Sequence, residues 1–280
     1  METLEEFMPS EIEGGGRSMP PMSDEAAQLT PRDGAAREGA ASAACLDNKN
    51  DGASKFIPVP GTEEFASVCR SLDGRPLGYR LAKRAFDIVF SAAVVAVGLV
   101  PCALLSVAIS ADTKGSPIYS QERVGRLGRP FRIYKFRSMV ADADDVEKYL
   151  DEGQLAEWRR ERKVTDDPRI TPLGRVLRST SLDELPQFLN VLLGQMSVIG
   201  PRAVTYDEIS WYGEDAALLL SVPQGVTGAW QAGPRNDATF ENGERQEVEL
   251  EYARRAGFRE DARVFLATFG AMFGRDRSGR

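Results

Sequence analysis

The run Ser181-Leu182-Asp183-Glu184-Leu185-Pro186 is the densest chemical signal in the sequence. Proline is favoured in the first turn of a helix, where no hydrogen-bond donor is missed. The helix predicted over 182–193 therefore places Asp183 near its N-terminus, among unsatisfied backbone N–H groups and at the positive end of the dipole. A carboxylate held ionised and oriented in this way can attack phosphorus. The spacing has a structural reading too. Ser181 and Glu184 stand at capping-box distance, and Asp is a favoured N-cap. Spacing alone leaves both readings open.

Positive charge is the second signal. Between Gln121 and Arg137 lie Arg123, Arg126, Arg129, Arg132, Lys135 and Arg137, with Glu122 as the one acid. Such a surface can bind anionic lipid headgroups, or some of its groups can hold a diphosphate. Nucleic acid fits poorly, because the chain beyond residue 78 is neutral overall and carries no binding motif. Arg178, and Arg202 in Gly200-Pro201-Arg202, can each bring a guanidinium to a phosphate or lie on the surface. Asp142-Ala143-Asp144 has the DxD pattern of many nucleotide-sugar glycosyltransferases, yet it reads more simply as the acidic first turn of a charged helix. The sequence has no histidine. That excludes imidazole bases, His-containing triads and HExxH zinc sites. Cys45, Cys69 and Cys102 have no metal or redox spacing and fit a reducing compartment.

The elements that must position these residues divide the chain into three. Residues 1–78 hold 7 Lys/Arg and 14 Asp/Glu, so 7 − 14 = −7, which is the whole formal net charge. Residues 1–55 are rich in Gly, Ala, Ser, Pro and acids, a composition that predicts disorder. Glu2, Glu5 and Glu6 open the chain without an apolar core, unlike a signal peptide. Residues 56–78 read as linker. Residues 79–112 hold an apolar run, Ile88 to Ser110, long enough to cross a bilayer. Pro101 breaks that run, where a missing donor and a ring clash predict a bend. Arg80, Lys83 and Arg84 flank it on one side, and Lys114, Arg123, Arg126 and Arg129 on the other. Positive flanks stay cytoplasmic, so a helix that enters, bends and returns keeps both in place. The residues leave spanning and re-entrant readings open. Residues 113–280 read as a globular domain with strands within 117–140. Helices are predicted over 141–163, 182–193, 206–221, 244–257 and 261–274. A Gly/Pro-rich loop with Trp230 covers 222–240. The last helix carries Val264, Phe265 and Phe269 and suits a membrane surface.

Taken in order, these segments resemble the bacterial sugar transferase family, the monotopic polyprenyl-phosphate phosphoglycosyl transferases. The resemblance is carried by Lys83-Arg84-Ala85-Phe86-Asp87 before a Pro-broken apolar helix and by Tyr134-Lys135-Phe136-Arg137-Ser138-Met139. It continues in Asp166-Asp167-Pro168-Arg169-Ile170-Thr171, in Leu177 to Gln187 around SLDELPQ, in Met196 to Arg202, and in Gly225 to Asp237. It spans roughly 80–274, and SLDELPQ followed by GPR is its most specific part. It implies an α+β, mainly helical fold: a re-entrant membrane helix bent at Pro101, and a small cytoplasmic catalytic domain with amphipathic interfacial helices. It also implies a reaction. Asp183 attacks the sugar-linked phosphate of a UDP-sugar, UMP leaves, and a polyprenyl phosphate (undecaprenyl phosphate in bacteria) takes the sugar-phosphate from the enzyme. Glu184 helps hold Mg²⁺. Lys135, Arg137, Arg178, Pro201 and Arg202 form the phosphate and nucleotide surface. The setting is the cytoplasmic face of the bacterial inner membrane, with anionic lipids around it and the choice of monomer or homodimer left open.

Departures from the family pattern fall in one loop. Gln224 splits the usual Pro-Gly in Pro223-Gln224-Gly225-Val226-Thr227-Gly228. Leu219-Leu220-Ser221 stand where a basic residue is usual, and Ala232-Gly233-Pro234-Arg235 replaces a more usual SGR. These bear on which sugar is carried. Larger members have a four-helix membrane bundle ahead of the matched region, where this sequence has the acidic tail.

Overall fold

The computed structural model describes residues 59–233 and 238–273; the acidic segment 1–58, read above as disordered, lies outside them, as do 234–237 and the C-terminal end. The stretch expected to be linker is partly a helix, α1 (Glu63–Leu72). Thr62 accepts a hydrogen bond from the Phe65 amide, and Glu63 and Glu64 complement the helix dipole. Phe65 and Cys69, one turn apart, are buried and cluster with Val124, Val204, Leu219 and Leu220. Phe65, Val68, Cys69 and Leu72 stand at i, i+3, i+4 and i+7 behind the Thr62 cap, a helical signal that the linker reading passed over; packing against distant segments holds the helix.

α2 (Leu77–Thr113) is one continuous helix of 37 residues, ended by Lys114 in a left-handed conformation. Pro101 lies inside it and does not end it, contrary to the expected break. By length and composition α2 can cross a membrane. Its middle leaves Val97, Leu99, Val100, Leu104 and Val107 exposed, a patch too apolar for a water-facing surface.

β1 (Ile118–Val124) and β2 (Pro130–Phe136) form the expected antiparallel hairpin, with Ile118 opposite Phe136 and Val124 opposite Pro130. The single helix expected over 141–163 is two, α3 (Val146–Tyr149) and α4 (Glu152–Glu161). Asp151 interrupts them, because its capping box with Gln154 starts a new helix. α5 (Pro172–Ser179) follows, opened by Thr171 as N-cap with Pro172 in its first turn. Then come a 3₁₀ turn (Leu182–Glu184), α6 (Gln187–Leu192), β3 (Ser197–Ile199), α7 (Tyr206–Ser210) and α8 (Ala216–Leu219). The chain ends with β4 (Gly225–Thr227), α9 (Ala229–Ala232), α10 (Glu244–Arg255) and α11 (Phe258–Phe273).

β3 pairs with β4 in parallel, Ser197 opposite Gly225 and Ile199 opposite Thr227. The sequence reading had no strands there, since three-residue strands are below the length that patterning detects. Their close approach explains two glycines. A Cβ on Gly225 would lie 2.1 Å from the Gly200 nitrogen, and one on Gly200 would lie 2.2 Å from the Pro223 carbonyl oxygen.

Candidate active site

Asp183 is placed by the turn between α5 and α6. Ser181 adopts a left-handed conformation (φ 57°), which folds the chain out of α5 and into the 3₁₀ turn. Leu182 and Leu185 pack on the cluster of Ile109, Phe136 and Leu177, so the residues on either side of the acidic pair are anchored in apolar core. Pro186 is the N-cap of α6, which puts Asp183 ahead of that helix rather than at its N-terminus. Ser181 makes no capping hydrogen bond. The capping-box reading is therefore corrected, and Asp183 lies in the first turn of the short 3₁₀ segment rather than of α6.

What holds charge at Asp183 comes from other elements. Its carboxyl is 9% exposed. Burial, and then the neighbouring Glu184 charge, push its pKa up; Lys135 and Arg178 pull it back. Lys135 of β2 reaches Glu184 with Nζ 3.0 Å from Oε1. Arg178, near the end of α5, is steadied by its Nε donating to Ser138 Oγ at 2.9 Å. Burial lowers the Arg178 pKa, and Asp183 opposes that. Arg169 and Asp167 form a buried pair just before α5, with Nη2 to Oδ2 at 2.6 Å.

A small, open cleft lies beside this turn. Its polar lining is Arg123, Lys135, Glu184, Gln187, Arg202 and Gln231. Of the sequence-predicted residues, Lys135, Glu184 and Arg202 meet there, with Asp183 adjacent in the turn and Arg178 acting on it. Pro201 is buried, and its carbonyl accepts from the Gly225 amide. Arg137 is not part of the lining; its guanidinium donates to the Ser116 and Ala141 carbonyls. The DxD residues Asp142 and Asp144 are exposed. Asp142 is held by Lys148 and Tyr149, and these bonds lower its pKa to about 2.

Several residues of the site were not legible as such. Arg123 pairs with Glu208 of α7 at 2.8 Å inside the protein. The Arg202 amide donates to both oxygens of Glu249, each at 3.2 Å. Glu249 is buried, which pushes its carboxyl up to about 7. The Arg245 guanidinium lies over the Trp230 and Phe240 rings, at 4.1 and 3.7 Å from their centroids. Its burial, then Arg202, lower its pKa to about 10. In the sequence Arg245 and Glu249 look like an ordinary surface pair at helical spacing. Gln187 did carry a signal, since it closes the SLDELPQ run. Gln224, thought to bear on sugar choice, has its side chain in the core, and its carbonyl accepts from the Ser197 amide. The Pro234-Arg235 part of that departure lies outside the described residues.

Residues 78–275 match the family described as bacterial sugar transferase. The chain belongs to that family. It is 40% identical over 200 residues to the UDP-galactose-lipid carrier transferase of Erwinia amylovora, covering 70% of this chain and 41% of that protein. It is 44% identical over 165 residues to the undecaprenyl-phosphate galactose phosphotransferase of Salmonella typhimurium, covering 58% and 34%. Over 189 residues it is 41% identical to the exopolysaccharide production protein ExoY of Rhizobium meliloti, covering 66% and 78%. The chain thus spans less than half the length of the first two of these sugar transferases.

The family's Mg²⁺ can be tested against the donor set. No group of three acidic, His or Cys side chains among the described residues could hold a metal by itself. Glu184 is the carboxylate of the cleft lining, whose other polar groups are cationic or amide, and Asp183 is its neighbour in the turn. That set fits a hard cation completing its shell with diphosphate oxygens and water.

Proposed function

We propose that this protein moves a sugar-1-phosphate from a UDP-sugar to a polyprenyl phosphate, undecaprenyl phosphate by the names of its relatives, with UMP released. The observation that carries this reading is a buried Asp183 beside a cleft where Lys135, Arg202 and Arg123 gather. In the first step an Asp183 oxygen forms a bond to the sugar-linked phosphorus, and the bond from that phosphorus to the UMP oxygen breaks. The electron pair leaves with UMP. In the second step a polyprenyl phosphate oxygen forms a bond to the same phosphorus, and the Asp183 carboxylate is released. The attack by a carboxylate needs no general base, which suits a chain without histidine. Lys135 and Arg178 favour the ionised form of Asp183 against its burial, and Arg202 and Arg123 offset the diphosphate charge. Glu184 would help hold Mg²⁺, which would supply charge neutralisation at the diphosphate.

A re-entrant α2 belongs to the same proposal. Both of its halves pack on one body. Phe90 lies 6.0 Å from Phe188 of α6, while Cys102, Leu105 and Ile109 pack with Phe136 of β2 and Leu177 of α5. The apolar stretch between them is exposed, as a membrane-inserted segment must be. This supports a partial insertion of a continuous α2 from one face of the membrane, taken in this proposal to be the cytoplasmic face of the inner membrane. Arg129 and Arg132 are the exposed members of the basic stretch and suit anionic lipid headgroups.

The test is product analysis with the full chain in bilayers containing undecaprenyl phosphate, across a panel of UDP-sugars. UMP is expected as the nucleotide product. Release of UDP instead would favour a glycosyltransferase using Asp142 and Asp144 and end this reading.

A further inference from the structure

Lys83, Arg84 and Asp87 lie in the first turns of α2, where the sequence suggests a positive flank on the cytoplasmic side. In the structure all three turn inward. Lys83 Nζ is 2.7 Å from Asp261 of α11, which also accepts from Tyr79 and from Tyr252 of α10. Arg84 places Nη1 2.6 Å from the Val191 carbonyl oxygen and Nη2 2.9 Å from that of Leu192. Asp87 is 3% exposed, and its Oδ1 accepts from Ser197 Oγ at 3.0 Å and from the Val198 amide at 2.9 Å.

The carbonyls that Arg84 holds are the last of α6; that of Val191 also accepts from the Leu193 and Gly194 amides just past the helix, and Arg84 adds a tie from α2. A planar guanidinium offers two fixed N–H groups, so it can grip two adjacent carbonyls at once and fix direction as well as distance. α6 is six residues long and follows Asp183, Glu184, Leu185 and Pro186 without a break in the chain. Clamping its far end, with Phe90 against Phe188 along its side, leaves the acidic turn little freedom to shift. Asp87 does the same on the other wall, since Val198 belongs to β3, which runs directly into Gly200-Pro201-Arg202.

We infer that Arg84 is a positioning residue for the reaction: its grip on the Val191 and Leu192 carbonyls sets the Asp183–Glu184 turn against the cleft, while Asp87 sets Arg202 through β3. The membrane helix is then a member of the active site's frame as well as an anchor. This rests on Asp183 being the nucleophile.

Arg84→Lys tests it. Lysine keeps the positive flank and the charge, but its ammonium cannot hold both carbonyls in a fixed fork. A misplacement of about 1 Å costs about 100-fold in rate, so kcat for UMP release should fall tenfold to a hundredfold, with KM for the UDP-sugar changed by less than about threefold. Membrane insertion should match the parent, and amide exchange should speed up across 183–194 while β1 and β2 keep their protection. If Arg84→Lys fails to insert, Arg84→Gln, which keeps one donor towards the carbonyls, is read by the same measurements per mole of inserted protein. A parent-like kcat in inserted Arg84→Lys or Arg84→Gln protein overturns the inference, as does a lost kcat with unchanged exchange across 183–194. A parent that releases no UMP overturns the proposed reaction instead.

Discussion

At the scale of the residue, Asp183 carries two opposed demands. It must be ionised to attack, and it sits where ionisation is disfavoured, first by burial and then by Glu184. Because its pKa is raised on folding, its contribution to stability is present below the ordinary carboxylate range. That contribution is lost as pH rises through the folded value. Wherever the group is ionised, its charge therefore destabilises the fold. Asp183→Asn removes the charge and keeps the shape. Turnover should fall by about 10⁴-fold or more, as for loss of other covalent nucleophiles. The thermal midpoint at pH 7.5 should equal or exceed the parent's, and the difference should shrink at pH 4. Near-normal UMP release by the variant would remove Asp183 from its role; a lower midpoint at pH 7.5 would contradict the charge balance.

At the scale of the element, α1 decides where the folded unit begins. Phe65 is 1% exposed and touches the hairpin connection, where a Cβ on Gly128 would meet its ring at 2.9 Å. Phe65→Ala should destabilise by about 3–5 kcal/mol, the range for deleting a buried aromatic ring. A chain that starts at Tyr79 loses all of α1 and should unfold or aggregate, whereas one that starts at residue 59 should insert and turn over like the full chain. Parent-level activity in the chain starting at Tyr79 would show that α1 is an accessory. The domain division expected at residue 78 thus cuts through packed structure. The stretch 56–78 looked like linker because its amphipathic face is short, and its partners, Leu219 and Leu220, lie far along the chain.

At the scale of the whole molecule, the disposition of α2 is the open quantity. A straight helix of 37 residues would be about 55 Å long, well beyond the roughly 30 Å of hydrocarbon. The bonds of Arg84 and Asp87 hold its first turns, and the burial of Ile109 holds its last. Cysteines introduced as Ala82→Cys and Lys114→Cys, both exposed positions, should react from the same side of the membrane. Pro101→Leu restores a hydrogen bond and removes a clash, worth about 3 kcal/mol towards a straight helix. Undocking Leu105 and Ile109 would cost about 1.5–3 kcal/mol each, and a charged segment would also have to cross. The second set of costs is larger, so Pro101→Leu should keep the one-sided labelling. Labelling of the parent from opposite sides would end the re-entrant reading.

The sequence by itself determined the family, the apolar membrane helix, the β1–β2 hairpin and the pairing of Asp183 with Glu184. Each is written in contiguous residues: an uncharged run, an alternation around two glycines, or a motif such as SLDELPQ. Only the tertiary structure decided that α1 is core and that Asp183 precedes α6. Only it moved the charge balance of Asp183 from a helix dipole to Lys135 and Arg178. It also turned Lys83 and Arg84 from a cytoplasmic positive flank into internal ties, and the Arg245–Glu249 surface pair into a buried support for Arg202. In most of these cases the partner lies tens of residues away in the chain; Arg178 and Pro186, five and three residues from Asp183, are the near ones. Periodicity reports which face of an element is apolar; it does not report what a charged side chain will meet once that face is buried.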